Sequence, residues 1–363
     1  MSVTQDIARF SADISYEDLP GEAVRECRRL LLDTLGCALG GLLTEKGRIG
    51  LRLAHALGGP PESTLLGGAV KGSVAAASYL GGELMNALDY ESLLSPPDHV
   101  TPYVLAAPLA VAEMKRVSGK ELLTAIALSH ELTTRIGSSL LFGNRFAVEL
   151  PERGITMGLP TPGYGVCTFG GTAAAARLLG LDADGIARAM GIAGYAAPVP
   201  MLMTFAHGVP AALPKYLSSG MLSMQEALAA ASAALGSSGD RDVLDGPYGF
   251  WRAFGCDGWR PEIVTHELGR DWTFPNRLFY KSFPCCGAMQ NGLALFSSLL
   301  EEHELQPEDI VSVRVKQNLL AELPVWRSER VTSHIDAQFN VPFVFAAAAL
   351  RIEPGPRWQA PET

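Results

Sequence analysis

Two ionisable side chains lie at the ends of one loop in this sequence, where proline interrupts a helical pattern. In the segment NALDYESLLSPPDHV, residues 86–100, Asp89 closes a predicted helix and His99 follows a Pro-Pro turn. A carboxylate and an imidazole placed in this way can face one pocket and act as base and acid. The alternative is that Asp89 caps the helix end and His99 is a solvated loop residue.

Two lysines lie in similar surroundings. Lys215 is predicted to begin a helix beside Pro214, where its charge opposes the helix dipole unless an anion is nearby. Lys281 precedes a proline turn and a helix that opens at the paired cysteines 285 and 286, and a cation beside free helical N–H groups forms a carboxylate receptor. Each lysine can instead be a surface residue whose ammonium reaches water. These positions favour acid/base chemistry on a small anion.

Several common classes of function lack their sequence signatures. The chain contains no GxGxxG that opens a helix after a strand, no GxxxxGK[ST], no HExxH and no GxSxG. Its six cysteines form no CxxC pair, so we interpret them as reduced packing thiols and predict no metal site. Acidic residues outnumber basic ones by 38 to 29 without any basic stripe, which excludes nucleic acid as an expected partner. The remaining expectation is acid/base chemistry without a cofactor.

The N-terminal segment and the apolar runs indicate a cytoplasmic protein. The first 20 residues are polar and acidic where a secretion signal has a basic start and an apolar core. The apolar runs at 103–112 and 341–350 are shorter than the roughly 20 residues that cross a bilayer. We therefore expect buried helices at both runs and no membrane partner.

Length and periodicity predict a mainly α protein with two domains. A chain of 363 residues exceeds the usual size of one hydrophobic core. After Pro20, apolar residues recur at helical spacing, and the alanine- and glycine-rich segments favour closely packed helices. Further helices are predicted at 47–57, 73–90, 101–117, 119–138, 170–180, 183–195, 213–235 and 286–303.

The pattern changes toward the C-terminal end of the chain. Val311, Val313 and Val315 alternate with polar residues, which predicts a half-buried strand within 309–316. The sequence thus predicts a large all-helical domain over 1–274 and a smaller, partial α/β (α+β) lid domain over 275–363. A cleft between two such domains is the expected place for a site.

In order and spacing, these segments resemble the MmgE/PrpD family, which includes 2-methylcitrate dehydratase, cis-aconitate decarboxylase and iminodisuccinate epimerase. The likeness runs over nearly the whole chain. It is carried by LPGEAVRECRRLLLDTLGCALGG, NALDYES, HVTPYVLAAPLAVAE, SGKELLTAIALSHELTTRIG, FGGTAAAARLLGLDADGIARAMGIAG, KYLSSGM, YKSFPCCGAMQNG and AQFNVPFVFAAAAL. The resemblance implies a helical domain with an α/β lid, a homodimer, no cofactor and an active site between the domains.

Four residues match the positions that line the family's site: Asp89, His99, Lys215 and Lys281. The family's second histidine is missing, because the corresponding stretch reads GLPTPGYG and places Thr161, or else Pro160, there. The Asp-Asp-Thr that often follows the first aspartate is replaced by Glu91, Ser92 and Leu93.

The missing imidazole removes a general acid or base, which is typically worth about 100-fold to 10,000-fold in rate. His207, in the TFAHGVP loop, is a candidate to compensate and, with Thr161, to bind substrate. His130 lies inside an apolar helical pattern and is expected to be packed. Family members also continue past AQFNVPFVFAAAAL, whereas this chain stops at Thr363. We therefore expect a truncated lid with exposed strand edges that favour pairing with another chain.

The leading hypothesis is a lyase, a dehydratase or decarboxylase similar to 2-methylcitrate dehydratase, that acts on a small di- or tricarboxylate. Lys215 and Lys281 would hold carboxylates and stabilise an enolate-like charge, while Asp89 and His99 would handle the proton. An isomerase or epimerase that removes and returns an α-proton is the second hypothesis. The third is a non-catalytic relative.

Overall fold

The computed structural model describes residues 2–142, 148–150, 154–157, 163–198, 202–316 and 319–360. About 60% of the chain is helical and 4% is strand, which confirms the mainly α prediction. The helices are α1 (Val3–Asp13), α2 (Gly21–Gly41), α3 (Glu45–Leu57), α4 (Val74–Met85), α5 (Thr101–Val104), α6 (Ala106–Lys115), α7 (Gly119–Ser139), α8 (Thr168–Leu178), α9 (Ala183–Ala196), α10 (Ser219–Ala234), α11 (Phe250–Ala253), α12 (Pro261–Thr265), α13 (Gln290–Glu302), α14 (Pro324–Arg327), α15 (His334–Phe339) and α16 (Val341–Ala349).

Many of these helices begin at a side chain that satisfies their first free N–H groups. The N-cap side chain accepts a hydrogen bond from the backbone N–H three residues later, which stabilises a helix by about 1 kcal/mol. The caps of this kind are Ser2 for α1, Thr44 for α3, Ser73 for α4, Ser118 for α7, Asp182 for α9, Ser218 for α10, Ser333 for α15 and Asn340 for α16.

The strands form short antiparallel pairs. These are β1 (Ser63–Leu65) with β2 (Val70–Gly72), β3 (Leu93–Leu94) with β8 (Leu278–Phe279), β4 (Leu140–Leu141) with β7 (Gly258–Trp259), and β5 (Val148–Leu150) with β6 (Ile155–Met157). The β3–β8 pair matters most for function. It aligns Leu93 with Phe279 and so fixes the segment before His99 against the segment before Lys281.

The close crossing of α4 and α10 brings two distant loops together. A Cβ atom at Gly82 of α4 would lie 2.7 Å from the backbone oxygen of Ser219, so only glycine permits this approach. Asp89 follows the end of α4, and Lys215 precedes the start of α10. The glycine contact therefore sets the separation of these two side chains.

The C-terminal part of the chain shares a hydrophobic core with the N-terminal helices. Leu84 of α4 belongs to the same buried cluster as Leu293, Phe339 and Trp358. The strand predicted within 309–316 is wrong, because this segment has no ladder partner among the described residues and Val311 is 99% exposed. Within the described ranges, no helix combines the length and apolar content that a bilayer crossing requires.

Candidate active site

Asp89 and Lys215 both lie in loops with left-handed backbone conformations. Their φ angles are 52° and 56°. An aspartate tolerates this region because its short polar side chain can bond locally, whereas a lysine pays about 1–2 kcal/mol for it. The prediction that Lys215 begins a helix is wrong, since α10 starts at Ser219 and a left-handed residue cannot enter a right-handed helix.

The centre of the site is a carboxylate held between two ammonium groups. Asp89 Oδ1 lies 2.8 Å from Lys215 Nζ, and Oδ2 lies 2.8 Å from Lys281 Nζ. All three side chains are fully enclosed by protein. The low dielectric around such a triad strengthens the attraction, and removal of one partner leaves an uncompensated buried charge.

The two lysines differ in how many of their protons are already bonded. Lys215 Nζ donates to the backbone oxygen of Asn86 at 2.8 Å, to Asp89 and to Gln338 Oε1 at 3.2 Å, which uses all three N–H groups. Lys281 Nζ donates to the Asp89 side chain and, at 2.6 Å, to the Asp89 backbone oxygen. Its third N–H has no acceptor among the described residues, so Lys281 is the ammonium that can receive a ligand anion.

His99 is oriented by a second carboxylate. Its Nδ1 lies 2.6 Å from Glu91 Oε1, and its Nε2 lies 3.9 Å from Asp89 Oδ1. A carboxylate accepts the Nδ1 proton, which leaves Nε2 as the nitrogen that exchanges protons with a ligand. Asn86 Nδ2 donates to the same Glu91 oxygen at 2.6 Å. The sequence marked Glu91 only as a departure from the family pattern, and the structure makes it the partner of His99.

The charges of the cluster are fixed by mutual contact. Burial opposes ionisation of Asp89, yet Lys215 and Lys281 hold its pKa well below the ordinary value. Burial also opposes ionisation of Glu91, but the neighbouring His99 lowers its pKa to about 2. Although burial acts in the other direction, Asp89 and Glu91 raise the pKa of Lys281. Asp89 is therefore a weak base that anchors the lysines, and proton transfer falls to His99.

Aromatic rings close one side of the cluster. Tyr216 donates its hydroxyl to Asp89 Oδ1 at 3.3 Å, and its ring centroid lies 5.0 Å from that of His99 and 4.6 Å from that of Tyr164. All three rings are buried and exclude water from the charges. Sequence reasoning missed these tyrosines, although Tyr216 directly follows Lys215 in KYLSSGM and could have been found there.

The other histidines lie elsewhere. His130 is enclosed in α7, where Nδ1 lies 2.8 Å from the Ile126 backbone oxygen and Nε2 lies 3.1 Å from Thr101 Oγ1, and burial lowers its pKa to about 4. His207 is exposed in a turn and contacts none of the cluster residues named above. The predicted position Thr161 falls outside the described residues.

The donor set favours an anion over a cation. One ligand atom each from Asp89, Glu91 and His99 lies within 4.8 Å of the others, a spacing that can hold a metal ion. Two ammonium groups already compensate Asp89, however, and would repel an entering cation. The remaining N–H of Lys281 and Nε2 of His99 instead suit a small carboxylate with an exchangeable proton.

Comparison with known proteins identifies relatives of this chain. The chain is 24% identical to a cis-aconitate decarboxylase-like protein of Aspergillus oryzae and 25% identical to cis-aconitate decarboxylase of Aspergillus terreus, in both cases over 95% of this chain. It spans 73% and 71% of those relatives. The human cis-aconitate decarboxylase is 26% identical over 78% of this chain and 56% of its own length. The MmgE/PrpD N-terminal domain matches residues 5–262, well over half of the sequence, and the protein therefore belongs to the MmgE/PrpD family.

Proposed function

We propose that the protein is a cofactor-independent lyase that removes carbon dioxide or water from a small di- or tricarboxylate. The observation that carries the proposal is the pairing of an ammonium that has an unused N–H, on Lys281, with a histidine whose free nitrogen faces the same carboxylate. The names of the relatives, cis-aconitate decarboxylases, point to the same class of reaction.

In this proposal a substrate carboxylate binds Lys281 and lies beside His99. When the bond to a departing carboxylate breaks, carbon dioxide leaves and its bonding electron pair stays on the adjacent carbon. The ammonium groups stabilise that developing negative charge because they are already oriented in a water-poor site. Protonated His99 then gives its Nε2 proton to the carbon, and Glu91 compensates the imidazolium before the transfer.

The number of proton carriers favours decarboxylation over the alternatives. Decarboxylation needs one carrier, which protonates the carbon. Dehydration needs a base for the carbon proton and an acid for the leaving hydroxyl, and epimerisation needs carriers on two faces. Among the described residues, His99 is the one histidine in contact with the Asp89 cluster.

The proposal is tested by turnover of cis-aconitate, citrate and 2-methylcitrate, followed as carbon dioxide release and as loss or gain of the conjugated double bond. Lys281→Ala is expected to lower kcat/KM by about 100-fold to 1,000-fold, the usual effect of losing one preorganised charge donor. Lys120→Ala is the matched control, since Lys120 pairs with Glu17 at the surface and its loss should leave turnover unchanged.

Three results would contradict the lyase assignment. Full turnover by Lys281→Ala on every acid that the parent converts would remove the ammonium from the mechanism. Uptake of deuterium from solvent, with no loss of water or carbon dioxide, would identify an isomerase. Absence of turnover on all of these acids, together with absence of binding, would indicate a non-catalytic relative.

A further inference from the structure

A separate cavity lies between helix α3 and the C-terminal segments of the chain. Its volume is about 620 Å³, within the range of about 300–1,000 Å³ that holds a small organic ligand. One wall comes from residues 43–44, which follow α2, and from α3, and the other comes from the start of α15 and from residues 356–360. The Asp89, His99, Lys215 and Lys281 side chains are not part of its lining.

The cavity carries an excess of positive charge. Arg48 and Arg52 line one wall and Arg357 lines the opposite wall, while Glu45 is the one acidic residue of the described lining. Arg48 donates to the Leu43 backbone oxygen at 2.9 Å, which fixes it at the rim. Guanidinium groups bind carboxylates through paired hydrogen bonds. Cations on two facing walls suit a ligand with two or more separated anionic groups.

A buried histidine of the lining has an unmet hydrogen bond. His334, the first residue of α15, is 7% exposed, and its Nε2 has no partner among the described residues. An enclosed polar atom in this state costs about 1–3 kcal/mol, which a ligand oxygen or hydroxyl can offset. Burial and the positive charges of Lys215 and Lys46 lower the pKa of His334 to about 4, so the ring is neutral near pH 7.

The cavity and the Asp89 cluster are separated by a pair of glutamines. Gln359 lines the cavity, and its Oε1 accepts a hydrogen bond of 2.9 Å from Gln338 Nε2. Gln338 Oε1 in turn accepts from Lys215 at 3.2 Å. Gln359 Nε2 donates to the Leu88 and Pro284 backbone oxygens, so its amide is fully engaged away from the cavity. The two places are neighbours with distinct binding groups.

We propose that this cavity is a second binding site, for a small polycarboxylate held by Arg52, Arg357 and His334. It is distinct from the Asp89 cluster and does not depend on the lyase assignment. The occupant is a compact di- or tricarboxylate because the positive charges lie on facing walls.

The test is isothermal titration of the full chain with citrate, and in parallel with inorganic phosphate. Citrate is expected to bind in the cavity of both the parent and the Lys281→Ala variant, whereas Arg52→Ala in either background weakens this binding. Loss of charge-assisted hydrogen bonds should weaken citrate binding there at least about tenfold. Arg28→Ala is the matched control, since Arg28 is an exposed arginine of α2 outside this lining.

A second variant keeps the test independent of the active site. His334→Phe keeps a ring of similar size but removes the nitrogen without a partner, so it should weaken citrate binding about tenfold while raising Tm. Citrate binding that is unchanged in both Arg52→Ala and His334→Phe would overturn the proposal. Phosphate binding as tight as citrate binding would overturn the assignment to a polycarboxylate.

Discussion

Two buried carboxylates show how differently this molecule treats the same chemical group. Asp89 and Glu226 are both fully enclosed by protein. Asp89 contacts two ammonium groups, and its pKa is held well below the ordinary value. Neither oxygen of Glu226 has a partner among the described residues, and burial raises its pKa well above the ordinary value.

The difference follows from what surrounds each side chain. Glu226 lies on α10 where that helix crosses α8, and a Cβ atom at Gly171 of α8 would collide with its carboxyl group. A tight helix crossing offers little besides backbone and alkyl surface, so burial there favours the neutral form of the carboxyl group. Asp89 lies beyond the end of a helix, where other loops can bring cations to it. Charge chemistry in this fold therefore belongs to the loops that meet between packed helices.

The largest expected effect comes from removing the charge of Asp89. Asp89→Asn leaves two buried ammonium groups without their counter-charge, so we expect a loss of about 3–5 kcal/mol in the free energy of unfolding. Urea denaturation measures it. Asp6→Asn, which breaks a surface pair with Arg9, should change stability by less than about 1 kcal/mol. Equal stabilities for the two variants would show that the buried triad is not ionised.

The next effect concerns the carboxylate that orients His99. Glu91→Gln keeps the shape but removes the charge that compensates the imidazolium, so kcat is expected to fall about 10-fold to 100-fold, the usual cost of losing such a supporting partner. KM should change little, because Lys281 still binds the substrate carboxylate. Glu91→Asp should recover part of the loss. A raised KM with unchanged kcat would assign Glu91 to substrate binding instead.

The smallest expected effect concerns Glu226, the buried carboxyl group without a partner among the described residues. Glu226→Met replaces a carboxyl group that has no partner with an apolar chain of similar length, and should raise the free energy of unfolding by on the order of 1 kcal/mol at pH 5. Leu222→Ala, at a buried apolar position of the same helix, should instead destabilise by about 2–5 kcal/mol.

The stability gain expected for Glu226→Met depends on pH in a definite direction. The raised folded-state pKa of Glu226 means that its contribution to stability is fully present below the unfolded value of about 4.3 and is lost as pH rises toward the folded value. The advantage of Glu226→Met over the parent should therefore grow with pH, by at most about 1.4 kcal/mol per unit. Asp89 behaves in the opposite way, since stability from its lowered pKa is lost as pH falls below about 3.9. A pH-independent gain for Glu226→Met would mean that Glu226 is ionised in the folded protein.

The sequence predicted the helices well because their apolar spacing is regular and their caps are explicit. Loop position and spacing first selected Asp89, His99, Lys215 and Lys281, and the resemblance matched the same four residues, which the structure places within one buried cluster. Their catalytic roles, the domain boundary at residue 275, the homodimer and the cytoplasmic location stay predictions.

What the sequence left out depends on contacts between distant segments. Gln338 reaches Lys215 from a separation of 123 residues, and no local pattern indicates such a contact. The sequence analysis did not single out Glu226, because the crossing of its alanine-rich helix with α8 cannot be read from spacing alone. The strand within 309–316 was predicted from alternation, but a strand also needs a hydrogen-bonding neighbour, and the described residues supply none.

The left-handed backbone at Lys215 ties the shape of one loop to the charge of another. The strained φ angle persists because its ammonium is pulled toward Asp89 and two further oxygens, so conformational strain and electrostatic attraction balance at a single residue. Weakening the attraction also frees the backbone to relax, which withdraws the ammonium further. We therefore expect the contacts of Lys215 to be lost cooperatively rather than one at a time.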